Sequence, residues 1–167
     1  AAGAIGFRFK LSAGIPLLLL SVAAVYAGNA ALRNWTPLYS TVEAGSVKVF
    51  RRGGDNLKLF ISIPGGEEEI LEIPSLSFSL AVEFLEMADY YFFLGRKNSY
   101  KILGIKAQGE TLYPVGPDPA SYTLENLLVR MPGISVRSED LDFSVPKLYS
   151  TYRIIVEKEG ILAGEEN

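Results

Sequence analysis

From Leu11 to Leu32 the chain runs for 22 residues without a charge, with Leu17–Leu20 at its centre. As a helix rising about 1.5 Å per residue, this stretch would reach across a bilayer core of roughly 30 Å. Arg8 and Lys10 stand before it and Arg33 after it. So long an apolar run has to leave water, and where it goes constrains what the remainder can be. Three destinations fit. It reads as a secretory signal peptide, with a basic start, an apolar middle and a small-residue cleavage site at Ala24-Val25-Tyr26-Ala27. It reads equally as a transmembrane anchor with its basic end on the cytoplasmic side. The third reading is an assembly element kept in the mature protein and buried against neighbouring subunits. A start at Ala1 rather than Met suits a processed chain that retains the segment.

Ile5, Phe7, Phe9 and Leu11 alternate with Gly6, Arg8 and Lys10. This period of two predicts a strand over residues 4–11, with one apolar and one basic face. A lone strand needs a sheet edge. The edge belongs either to its own subunit or to a neighbour, as in donor-strand complementation. Otherwise Arg8 and Lys10 simply flank a membrane helix. Gly14 and Pro16 argue against one helix running from residue 1, because an interior proline costs about 3 kcal/mol. Pro16 suits the first turn of a helix capped by Ser12.

The remaining residues, 34–167, read as one β domain. The chain has no cysteine and no histidine, so disulfides, thiol chemistry, imidazole bases and most zinc sites are excluded. With a net charge of −3 and no basic patch, nothing recommends nucleic acid as a partner. No cofactor or metal site is expected. Nine Tyr and nine Phe beside many Val, Ile and Leu favour strands.

Asn34-Trp35-Thr36 is an N-glycosylation triplet, open to use if the segment is extracytoplasmic. Trp35 and Tyr39 also suit the aromatic zone of a membrane surface. Beyond them, Ser46–Phe50 and Leu57–Ile63 read as a hairpin around Arg51–Asn56, with Leu57, Leu59, Ile61 and Ile63 on one face. Pro64-Gly65-Gly66 ends it, and a strand resumes at Glu69–Ile73. Ser75–Phe84 alternates most regularly, with Leu76, Phe78, Leu80, Val82 and Phe84 facing inward and Ser77, Ser79, Ala81 and Glu83 outward. A helix over Ala81–Tyr90 is also compatible with the propensities. Met87–Leu94, Tyr100–Ala107, Glu110–Tyr113 and Thr151–Glu157 read as strands, and Ile134–Arg137 as a short one. Pro114–Pro119 is a proline-rich loop, and Tyr122–Met131 fits helix or strand. The carboxylates of Ser138–Asp142 lack a calcium-loop pattern and read as a polar loop. Gly160–Asn167 is a tail whose Ile161 and Leu162 suggest docking. Seven or eight short strands between Gly/Pro turns predict an all-β sandwich or jelly-roll-like head.

Val42-Glu43-Ala44-Gly45-Ser46-Val47-Lys48-Val49 resembles the Gly-centred entry to the first strand in the TasA/camelysin group of secreted proteins, with Lys48 where that group carries an acidic residue. That resemblance implies a jelly-roll-like domain polymerising into extracellular fibres by strand donation. The peptidase label of some members has no counterpart here, since H-E-x-x-H cannot be written without histidine. An apolar N-terminus ahead of a β head is also similar to archaeal type IV pilins and archaellins, from which Arg8 and Lys10 depart.

The expectation is a structural subunit of an extracellular filament, polymerising with copies of itself. Its assembly residues are Ile5, Phe7, Phe9 and Leu11 in the strand and Leu17, Leu18, Leu19 and Leu20 in the apolar run. The alternative is a membrane-anchored extracytoplasmic β-sandwich that binds a surface layer or belongs to a membrane complex. A carboxylate hydrolase would need converging acids, for which Glu83, Glu86 and Asp89 are the one cluster to test.

Overall fold

The structure, a computed structural model, describes residues 2–51, 54–64, 68–107, 111–115 and 122–166, without the side chains of 2–13, 122 and 123. The chain opens with a 30-residue helix, α1 (Ala2–Ala31). Among the described residues ten strands follow: β1 (Thr36–Pro37), β2 (Val42–Arg51), β3 (Leu57–Ser62), β4 (Glu69–Ile73), β5 (Phe78–Met87), β6 (Asn98–Ala107), β7 (Leu112–Pro114), β8 (Ile134–Phe143), β9 (Thr151–Val156) and β10 (Ile161–Glu166). A 3-10 helix, Asp89–Leu94, joins β5 to β6, and a short helix, α2 (Tyr122–Leu128), lies between β7 and β8.

The strands form two antiparallel sheets. One has the order β1-β6-β5-β8, with β7 beside β6; the other runs β10-β9-β2-β3-β4. Their facing sides make the main core. Val47, Val49, Leu57, Leu59, Ile61, Ile154 and Val156 come from one sheet, and Phe78, Leu80, Val82, Phe84, Ile105 and Phe143 from the other. The β2–β3 hairpin therefore has the face its alternation predicts, because every second residue of a strand points the same way. Two glycines permit close approaches in these sheets. Gly45, at the bulge where β2 meets β9, has φ +145° and no room for a Cβ against the Ser62 carbonyl. Gly104, at the bulge of β6 against β5, has φ +150° and lies against the Tyr113 carbonyl. The residue at the centre of the expected strand entry is thus a bulge glycine.

Several expectations change. Residues 4–11 are helical, not a strand, and α1 continues through Gly14 and Pro16. A proline removes one hydrogen bond from the ladder, and in a helix of this length the others persist. Met87–Leu94 leaves the sheet after Met87 and winds into the 3-10 helix. Ile134–Arg137 and the acidic Ser138–Asp142 together form the ten-residue β8, whose carboxylates sit on a solvent-facing edge rather than in a loop: Asp140 pairs with Lys106, and Glu139 with Arg137. The C-terminal residues form β10 against β9. Leu76 lies before β5 and is exposed, and Ala81, expected outside, is buried. The loop expected over residues 114–119 and the turn centres at 52–53, 65–66 and 108–109 fall mainly outside the described residues.

Candidate functional site: the apolar helix and its seat on the head

β5 is covered on both faces. Its second face carries Leu85 and Met87 into a smaller core with Ala31, Leu32, Trp35, Tyr91, Leu94 and Leu128. That core is the seat of α1. Leu32 is fully buried, and Trp35, expected at a membrane surface, is 2% exposed. At Gly28 the helix lies so close to Leu94 that a Cβ would come within 2.6 Å of its side chain. Arg96 donates from Nη1 to the carbonyls of Leu32 and Trp35, both at 2.9 Å. Leu32 immediately follows α1, so the cation on its carbonyl meets the negative end of the helix dipole. The Leu38 N–H then donates to the Asn98 carbonyl at 2.8 Å, leading the chain into the sheet.

From Gly14 to Ala27, α1 stands free. Every side chain from Gly14 to Ala27 is exposed. Leu17, Leu18, Leu19 and Leu20, at steps of about 100°, are 63–72% exposed, so the shaft is apolar around its whole circumference. A helix of that kind is a buried one, in a core, an assembly or a membrane. Among the described residues, α1 alone is long and apolar enough to cross a membrane, judged by length and composition. Ile5, Phe7, Phe9 and Leu11 lie on its backbone, with side chains outside the described residues. Asn34 is in the turn after α1 and is half-buried. Tyr39 is exposed, with its hydroxyl donating to the Gly95 carbonyl at 3.1 Å.

The acids do not converge as a catalytic pair. Asp89 pairs with Lys97 at 2.6 Å, and that lysine holds the Asp89 carboxyl below its ordinary range. Glu83 instead meets Lys101 at 3.3 Å. Lys101 also donates to Glu125 of α2 and stands 4.8 Å over the Trp35 ring. This Glu83–Lys101–Glu125 bridge ties α2 to the sheet beneath the helix seat. Sequence reading missed it because Glu83 and Glu125 are 42 positions apart and the fate of residues 122–131 was open. Among the described residues no cluster of three or more acidic side chains is placed to hold a metal ion.

The two elements that flank the seat share a second feature. Each turns one side into the small core, Tyr91 and Leu94 from the 3-10 helix and Leu128 from α2. Each also leaves apolar side chains outside: Phe92 is 82% exposed, Phe93, Leu124 and Leu127 are exposed as well, and so is Met131 just past α2. Nothing in the sequence separates these from core residues, since exposure has no signature of its own in an aromatic run. No protein-family model, no curated protein and no solved structure matches the chain.

Proposed function

We propose that the protein is a non-catalytic cell-surface component in which α1 spans a membrane and holds the β-sandwich outside it. The observation that carries this reading is the joint. One end of α1 is built into the head by Leu32, Trp35 and Arg96, while its shaft is apolar on all sides and uncovered from Gly14 to Ala27. Arg8 and Lys10 sit at the far end, where the positive-inside rule places the cytoplasm. The head, and Asn34 with it, then lie on the extracytoplasmic side, with a surface layer or another subunit of a membrane complex as partner.

A second reading is favoured by Ala23 and Ala27, exposed and one turn apart on the shaft. Small residues at this spacing let helices approach closely. In this version α1 packs against copies of itself and the protein is the subunit of an extracellular filament. Alkaline carbonate extraction of cells expressing the full chain tests the first reading. The parent chain is expected to stay in the membrane pellet. Leu18→Arg with Leu19→Arg should release it, because each charge at a helix centre costs about 2.5–3.5 kcal/mol. Release of the parent chain by carbonate would count against a membrane span.

A further inference from the structure

The exposed apolar side chains around the foot of α1 need an occupant, and the length of the helix identifies one. From Leu11, the first residue after Lys10, to Asn29, the last exposed residue of α1, there are 19 residues. At about 1.5 Å each they cover about 28 Å, just short of a hydrocarbon core of roughly 30 Å. The end of the apolar run, Ala31 and Leu32, is enclosed by the head. A membrane crossed by this helix therefore reaches the head itself. The surface it meets there is apolar: Phe92 and Phe93 from the 3-10 helix, Leu124 and Leu127 from α2, and Met131 just beyond. Arg33, just past α1, and Arg130, next to Met131 in the chain, are exposed, as suits lipid phosphates. The one acid on the 3-10 helix, Asp89, is neutralised by Lys97.

We infer that this collar is a lipid-docking surface, which seats the head in the interfacial layer of the same membrane that α1 spans instead of leaving it to swing on a stalk. The inference rests on the membrane reading of α1 and extends it to the head. Aromatic side chains gather at that depth because their bodies are apolar and their edges tolerate water. The rigid joint supports the docking. Arg96 fixes α1 relative to the 3-10 helix, and the Lys101–Glu125 contact fixes α2 relative to the sheet, so the collar and the shaft are presented together.

The chain contains no cysteine, so single-cysteine variants of the full chain report one position each. Phe92→Cys, Leu127→Cys, Leu18→Cys and Val145→Cys all replace exposed side chains, the last in the loop between β8 and β9. Each is labelled with an environment-sensitive fluorophore and reconstituted into phosphatidylcholine vesicles carrying nitroxide lipids, spin-labelled either near the headgroup or deep in the chain. Docking predicts at least two-fold quenching of labels 92 and 127 by the shallow nitroxide, quenching of label 18 by the deep one, and neither at 145. If 92 and 127 behave like 145 while 18 is quenched, the collar stands clear of lipid and the inference fails with the anchor intact. If 92 and 127 are shielded from lipid nitroxide and from aqueous iodide alike, a second copy of the chain covers the collar, which also overturns it. If 18 is not quenched either, the membrane reading fails with it.

Discussion

Lys101 is the residue on which the seat of α1 turns. Its ammonium group meets Glu125 and Glu83 and faces Trp35, with little exposure on Lys101 or Glu125. Removing one partner of a buried pair leaves a charge without compensation, at a cost of about 3–5 kcal/mol. Lys101→Met is therefore expected to destabilise the protein by about that amount in chemical denaturation. Adding Glu125→Gln should recover part of the loss, because the more deeply buried of the two stranded carboxylates is gone. Loss without recovery would mean that the lysine acts through packing alone. Arg96 is a different case. It is half-buried, and its bonds go to the carbonyls of Leu32, at the end of α1, and of Trp35, just past it, so it orients the helix more than it holds the core.

The C-terminal strand β10 shows how an edge element is fastened. Glu165 accepts from Lys147 at 2.6 Å and from the Ser150 hydroxyl at 3.0 Å, tying β10 to the loop between β8 and β9. In that loop Tyr149 adopts φ +65° and donates its N–H to the Val49 carbonyl at 2.7 Å. The hydrogen bonds of Lys147, then of Ser150, hold the Glu165 carboxyl below its ordinary 4.5. A carboxyl lowered by folding adds stability above its unfolded value and loses it as pH falls through the lowered folded value. The Glu165 side-chain carbon should therefore titrate below 4.5 by NMR, and Lys147→Met should move the midpoint upward. A midpoint unmoved by that substitution would show that the contact does not persist in solution. Legibility also differed at the scale of elements. Leu57, Leu59 and Ile61 alternate on a strand with one buried face, so β3 could be read directly. β8 could not, because its exposed carboxylates resemble a loop until Lys106 and Arg137 are placed beside them. Residues 4–11 misled in the opposite sense. An alternation only eight residues long belongs to the same helix as the apolar run that follows it.

At the scale of the molecule, the change from an uncharged run to strands and turns was visible in the sequence, and an all-β head behind an apolar segment is what the fold shows. The joint between the two parts was not visible. It depends on Leu32 and Trp35, which lie at the end of the apolar run and beyond it, meeting Leu85, Met87 and Leu94 from the middle of the chain. That joint makes α1 part of the head at one end and leaves it uncovered from Gly14 to Ala27, so its environment decides what the protein does. The most direct measurement is negative-stain electron microscopy of the full chain after detergent removal, with and without lipid vesicles. The account predicts separate heads studding the vesicle surface when lipid is present, and no ordered particles when it is absent. Regular filaments in lipid-free buffer would contradict it, because α1 would then be burying its shaft in neighbouring subunits and not in a membrane.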